Sequence, residues 1–547
     1  FGLDTARLTV PAGGTADAVL TSDTRIAGPD GAYSGSVVAT ATEGGQRVLT
    51  SFGVIREEES YDLTLKFLDA KGRPTAGMAE VVGHNTPYWE SLYDADGDGT
   101  VKVRAPKGRY LFDVVVGEPE TGGAPVFALF VQPKYDVTRN ATLTFDARRA
   151  KPVSITPPGR AKQVSAYTNY FLDTPYAFAA TWFLDSFQGV SMAHIGAALP
   201  AAQFNARVGA LWQQGSTNYN LLYNRAGSAY TGFRHKATAG ELALVNVKIG
   251  ASAKKRTGYV SSFWSANGEG TGAGTELFAL PTTAKTYVTV PKGFTWEFGM
   301  GQQQSGDEDG VYLGSDGAKT YQAKKTYTKT YNVGVFSPRV GPYSGARQDN
   351  AMLVCVDEFT DGAGHFGQSA ATKRRTVITA DGKTILDRRE DLCQLVGNLP
   401  ATSARYVVST DATRSTALAG VTTRLVASWS FVSERPSAEG ADLPLSTVRF
   451  LPKLDLASTA PAGEKLTVPL AIDGPAAGKG FKSLSVQVSY DGGTKWAKAP
   501  VTTGKDGKKS LTLSHPKKAT SVSLKARLTD TKGYTYDVTV VKAYLLT

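Results

Sequence analysis

Cysteine, histidine and methionine are scarce in this chain of 547 residues, with two, five and four copies. The five histidines, His84, His194, His235, His365 and His515, stand far apart, and no two lie at metal-ligand spacing. That pattern argues against zinc, which needs several nitrogen or sulfur ligands converging on one point. Long apolar runs are missing too. The richest, Tyr176 to Leu184, spans half of the roughly eighteen residues that a membrane-crossing helix needs, so no membrane span is expected. Stretches of Ala, Glu, Lys and Leu in helical register are absent, and only 20% of residues are charged. Helical bundles and coiled coils are thereby excluded.

What is present is a β vocabulary. Apolar residues make up 41% of the chain and aromatics 10%, enough to fill real cores, while 58 glycines and 26 prolines punctuate short alternating runs. At about 100 to 200 residues per domain, the length implies several domains. The fold class is all-β: tandem β-sandwiches of fibronectin or immunoglobulin-like and transthyretin-like kind.

Four segments follow. Residues 1–56 alternate through Arg7–Val10, Ala16–Leu20, Tyr33–Val38 and Arg47–Phe52, four expected strands. That is half of an immunoglobulin-sized sandwich, so a neighbouring chain or a cleaved N-terminal partner upstream of Phe1 is expected to supply the rest. Residues 57–150 read as a compact β-domain, ended by the Pro-rich stretch from Lys151 to Gly159. Residues 151–450 form a large β-sandwich region rich in Trp and Tyr, with one short helix expected over 201–212. Residues 451–547 are a terminal immunoglobulin-like sandwich. Fifteen Lys and Arg against seven Asp and Glu give it +8 of the chain's net +11. Its lysines, among them Lys505, Lys508, Lys509, Lys517 and Lys518, lie on Gly-rich turns. They lack the aromatic or Arg pattern of a nucleic-acid reader, which leaves an anionic wall polymer, an acidic protein or a merely solvated surface.

Cys355 and Cys393, with 37 residues between them, read as one disulfide and favour an extracellular setting; two buried free thiols are the alternative. Asp94, Asp96 and Asp98 with Gly99 match the first half of a calcium loop, in which alternate carboxylates converge on a hard cation. The twelfth position is Ala105, so the closing bidentate carboxylate is missing, and both calcium and a solvated β-turn remain open. A second acidic turn, Gly306 to Gly310, has the same two readings. The segment Gly189-Val-Ser-Met-Ala-His-Ile195 overlaps a subtilisin-type nucleophile pattern, but Val190 and Ile195 replace its Thr and Pro. No base or orienting carboxylate motif accompanies Ser191, and His84 lies in the wrong context, so no catalytic residue is assigned. The aromatics from Tyr167 to Phe187 fit a sandwich core or a sugar-stacking platform.

Val10-Pro-Ala-Gly-Gly-Thr-Ala16 and Gly31-Ala-Tyr-Ser-Gly-Ser-Val-Val-Ala-Thr40 resemble the end of the fibronectin-like domain that follows the catalytic domain in large secreted subtilisin-like serine peptidases. Downstream, Ser60-Tyr-Asp-Leu-Thr-Leu-Lys66, Pro106-Lys-Gly-Arg-Tyr110, Phe359-Thr-Asp-Gly-Ala-Gly-His365 and Leu443-Pro-Leu-Ser-Thr-Val-Arg-Phe450 resemble the C-terminal extension of Streptomyces-type members. Residues 60–148 are also similar to a carboxypeptidase-regulatory, transthyretin-like domain. The resemblance implies a secreted parent whose catalytic triad lies upstream of Phe1, and no triad member maps onto this sequence. The expected role is therefore that of a non-catalytic accessory chain that associates with the catalytic chain and shapes stability or substrate access. An extracellular adhesin or polymer-binding module without a peptidase partner is the alternative.

Overall fold

A computed structural model describes residues 1–117, 126–305, 308–315, 317–437 and 439–547. Among them the chain is β-strand joined by turns, with three single 3₁₀ turns and no α-helix. Among the described residues no helix is long and apolar enough to cross a membrane. The all-β class read from composition is the class observed.

Residues 57–331 build a stack of sheets. A three-stranded sheet of Ala141–Asp146, Ser60–Leu68 and Thr100–Pro106 forms one outer layer. Behind it lies a seven-stranded sheet centred on Gly108–Val116 and Phe127–Val137, and behind that a second seven-stranded sheet containing Lys162–Leu172 and Phe204–Gln214. The middle sheet is buried on both faces, and its sequence shows why. In Tyr110-Leu-Phe-Asp-Val-Val-Val116, Tyr110, Phe112, Val114 and Val116 join the core under the three-stranded sheet. Leu111 and Val115 join the core against the second seven-stranded sheet. A strand with two buried faces reads as a continuous apolar run rather than an alternating one. Each such side chain contributes roughly 1.5–3 kcal/mol.

Hydrogen bonding crosses both later composition boundaries. Lys151–Thr156 and Val190–His194 extend the sheet begun by residues 57–150, and Val190–His194 pairs in parallel with Phe127–Val131. Arg424–Ser433 pairs with Thr535–Leu546, so one nine-stranded sheet spans residues from 373 to 546.

Two local expectations are corrected. Residues 201–212 form no helix; Phe204–Gln214 is a strand bonded on both sides, to Lys162–Leu172 and Thr217–Ala226. The Ala-rich composition is helix-tolerant, but two flanking strands and burial of both faces outweigh a propensity worth under about 1 kcal/mol per residue. Gly209 in this strand leaves room for the Tyr167 ring, whose Cζ would lie 2.1 Å from any added Cβ. In residues 1–56 the expected strands Tyr33–Val38 and Arg47–Phe52 form the hairpin Gly31–Thr40 with Arg47–Arg56. Arg7–Val10 is not a strand, and only Leu20 of Ala16–Leu20 is paired, in a two-residue bridge to Gly2–Leu3.

Candidate functional site

The residues singled out by sequence fall in different places. Ser191 sits inside the strand Val190–His194, opposite Ala128 on one side and Pro152 on the other, rather than on a sharp turn. His84 bonds the Pro133 carbonyl at 2.9 Å, and His194 Nδ1 accepts from the Ala229 amide, so each commits a ring nitrogen to backbone. Of the second acidic turn, Gly306 and Asp307 lie outside the described residues.

Asp94, Asp96 and Asp98 do converge, with one carboxylate oxygen from each within 4.8 Å of the others. Asp94 is buried and its two oxygens accept the amides of Gly97 at 3.0 Å and Gly99 at 2.9 Å. Asp98 accepts the Thr100 amide and hydroxyl at 2.7 Å. Gly99, at φ +81°, lies against Pro74, where a Cβ would come within 2.8 Å. These bonds close the turn by themselves. A calcium ion, which takes six to eight oxygens, would find about half of them here, on Asp94 and the exposed Asp96 and Asp98.

Cys355 and Cys393 are bonded as a disulfide and lie directly opposite each other on antiparallel neighbours. They line a cavity of about 460 Å³ together with Asp357, Glu358, Arg374 and Asp391. Burial, and then the nearby Asp391, hold the Asp357 carboxyl above the usual range. Burial also raises Glu358, against the pull of Arg374 at 2.9 Å and a hydrogen bond from Thr410. With two carboxylates beyond the Glu358–Arg374 pair, this cavity suits a cationic group. Adjacent Asp357 and Glu358 meet Arg374 and Asp391 from two other segments of the chain, and the set carries no shared sequence motif.

A third cluster lies between the two seven-stranded sheets. Asp113 is the lone charged residue in the apolar run 110–116, and its parity with Leu111 and Val115 points it at the facing sheet. There its Oδ2 accepts Tyr170 Oη at 2.9 Å and Trp182 Nε1 at 3.0 Å, while Oδ1 is buried with no hydrogen-bond partner among the described residues. Burial pushes this carboxyl up to about 6, moderated by the Trp182 and Tyr170 bonds, with a further push from Glu80, the residue opposite on the next strand. Glu80 in turn accepts Trp89 Nε1 and Ser91 Oγ, both at 2.6 Å. Sequence reading missed the cluster, although a single Asp within an apolar run was its available signal. The aromatics around it divide: Tyr167, Tyr170 and Phe187 are core, whereas Phe183 is 67% exposed.

The hairpin Gly31–Arg56 contributes no residue to any buried core. Val48, Leu49 and Ile55 are 66%, 62% and 78% exposed, and adjacent Val48 and Leu49 point to opposite faces.

No protein family and no curated protein matches the chain. Among solved structures it is similar to the Bacillus anthracis TIE protein at 9% identity, covering 55% of this chain and 58% of that one, with a TM-score of 0.13. It is also similar to the N-terminal four immunoglobulin domains of Dscam1, at 9% identity and TM-score 0.13, covering 72% and 97%. A third likeness is to Escherichia coli alpha-2-macroglobulin activated by porcine elastase, at 7% identity and TM-score 0.13, covering 94% and 52%. The chain thus spans about half the length of the first and third.

Proposed function

We propose that this chain is an extracellular, non-catalytic β-scaffold of the subtilisin-like peptidase lineage, which associates with a catalytic chain and shapes its stability or substrate access. The observation that carries this reading is the hairpin Gly31–Arg56, which exposes Leu49 and Ile55 on one face and Val48 on the other, where the Phe1 ring half-covers Phe52 at 4.8 Å. An isolated two-stranded hairpin is marginal in water, and exposed apolar surface of this kind marks an interaction site. A catalytic chain bearing the other half of the sandwich would cover it. The disulfide fits an oxidising compartment.

The test is intact-mass and size-exclusion analysis of the protein from its native source, with a serine-directed fluorophosphonate label. The expected result is a co-eluting second polypeptide that alone takes the label, and whose association is lost in a Leu49→Asp/Ile55→Asp variant. A chain that runs alone, with the hairpin protected from proteolysis, would overturn the reading in favour of the adhesin or polymer-binding module.

A further inference from the structure

The nine-stranded sheet carries one regular face that is open except where the turn with Gly493 and Trp496 lies against Val541. Along Lys373–Ala380, Ala404–Thr413, Arg424–Ser433, Thr535–Leu546 and Ser521–Asp530, apolar residues of one parity are buried and those of the other face solvent. The register aligns the outward residues into rows. One row runs Arg375, Asp411, Val426, Thr539, Lys525, Gln487 and Lys498, crossing seven strands. At about 4.8 Å per strand that is a track of about 29 Å. The adjacent row places Ser409, Ser428, Asp537, Arg527 and Ser485 beside it.

The charges on this face are unequal in what they satisfy. Arg375 pairs with Asp387 at 2.6 Å and Arg424 with Asp411 at 2.6 Å, while Arg527 lies 3.6 Å from Asp537. Lys373, Arg405, Lys498 and Lys525 have no ion-pair partner among the described residues and are exposed. Each carboxylate of these pairs is thus matched by an arginine. Arg405 lies beside Asp381, whose carboxylate accepts its amide at 2.8 Å, which leaves Lys373, Lys498 and Lys525 as the surplus. Between Lys373 and Arg424 the surface dips into a depression of about 540 Å³. The outward positions of the five long strands hold Ser, Thr, Val and charged residues, and among the described residues the one ring beside the rows is Trp496, two residues before Lys498.

We propose that this face binds an anionic polysaccharide laid across the strands along the row from Arg375 to Lys498. Surplus cations attract the carboxylates of the polymer, and the Ser, Thr and Gln side chains offer hydrogen bonds to sugar hydroxyls on a flat surface. A single-stranded nucleic acid is disfavoured because its binding sites stack successive bases on several aromatic rings, and Trp496 alone stands beside these rows. A polyol phosphate would also use the cations and the hydroxyl donors, but it offers fewer hydroxyls of its own to the Ser, Thr and Gln oxygens than a sugar ring does. The inference is independent of the peptidase reading, since it needs no second chain.

The test measures binding of the full chain to polygalacturonate, with dextran, poly(glycerol phosphate) and poly(dT) as comparison polymers. Polygalacturonate should bind most tightly and weaken steeply as salt rises past about 0.15 M, where the screening length shortens to about 8 Å. Lys373→Ser/Lys498→Ser/Lys525→Ser should lose at least about tenfold in affinity. A control, Lys505→Ser/Lys508→Ser/Lys517→Ser, removes the same charge from turns of the neighbouring four-stranded sheet and should retain binding. Since all six positions are exposed, thermal midpoints should stay unchanged in both variants. Equal loss in both would mean that only total charge matters and would overturn the proposal. Tighter binding of poly(dT) or poly(glycerol phosphate), or equal binding of dextran, would overturn the choice of polymer.

Discussion

The Asp113 carboxyl accepts the Tyr170 hydroxyl at 2.9 Å across the interface between the two seven-stranded sheets, joining strands that are 57 residues apart in sequence. One of its oxygens is buried without a partner among the described residues, which is costly for an ionised group and cheap for a protonated one.

Stability should therefore depend on pH through this residue. Its folded value is raised to about 6, above the ordinary carboxyl range near 4, so its contribution is fully present below about pH 4 and lost as pH rises through 6. A rise of that size corresponds to roughly 3 kcal/mol. Asp113→Asn should match the wild type in thermal midpoint at pH 4 and exceed it at pH 7.5. Identical pH slopes for the two proteins would remove Asp113 from this role.

The disulfide closes a loop across a sequence separation of 38. By chain entropy, opening it should cost about 4 kcal/mol. Cys355→Ser/Cys393→Ser should lower the midpoint of denaturant unfolding by a corresponding amount, and reduction of the wild type should reproduce the loss. A wild-type mass two hydrogen atoms heavier than that of the disulfide-bonded chain would show that the bond does not form.

Asp94 holds two amides from a buried position, whereas Asp96 and Asp98 are exposed. Asp94→Ala should cost roughly 1–3 kcal/mol in EDTA, and Asp96→Ala much less. Calcium titration separates the two readings of this turn. A rise in midpoint that Asp96→Asn/Asp98→Asn abolishes identifies a calcium site, and an unchanged midpoint identifies a self-closed turn.

Gly209 lies beneath the Tyr167 ring. Gly209→Ala should destabilise by roughly 1–3 kcal/mol through overpacking, and Tyr167→Leu should relieve much of that loss. Without such rescue, the contact is not what fixes the glycine.

Chain chemistry alone determined the all-β class, because alternating Val, Thr, Tyr and Phe runs broken by Gly and Pro can bury an apolar face only as strands. The pairing of the only two cysteines was legible for the same local reason: no competing partner exists. Residues 201–212 misled, because weak helical preference yields to the two neighbours that the fold brings alongside. Asp113 was visible as a charge in an apolar run, but its partners, Tyr170 and Trp182, come from the facing sheet. The row from Arg375 to Lys498 was not legible at all, since its members are scattered between positions 375 and 539 and meet only through strand order and register. Period-two alternation tells which side chains share a face of one strand. Which strands lie side by side is set by long-range packing, and only the tertiary structure decides it.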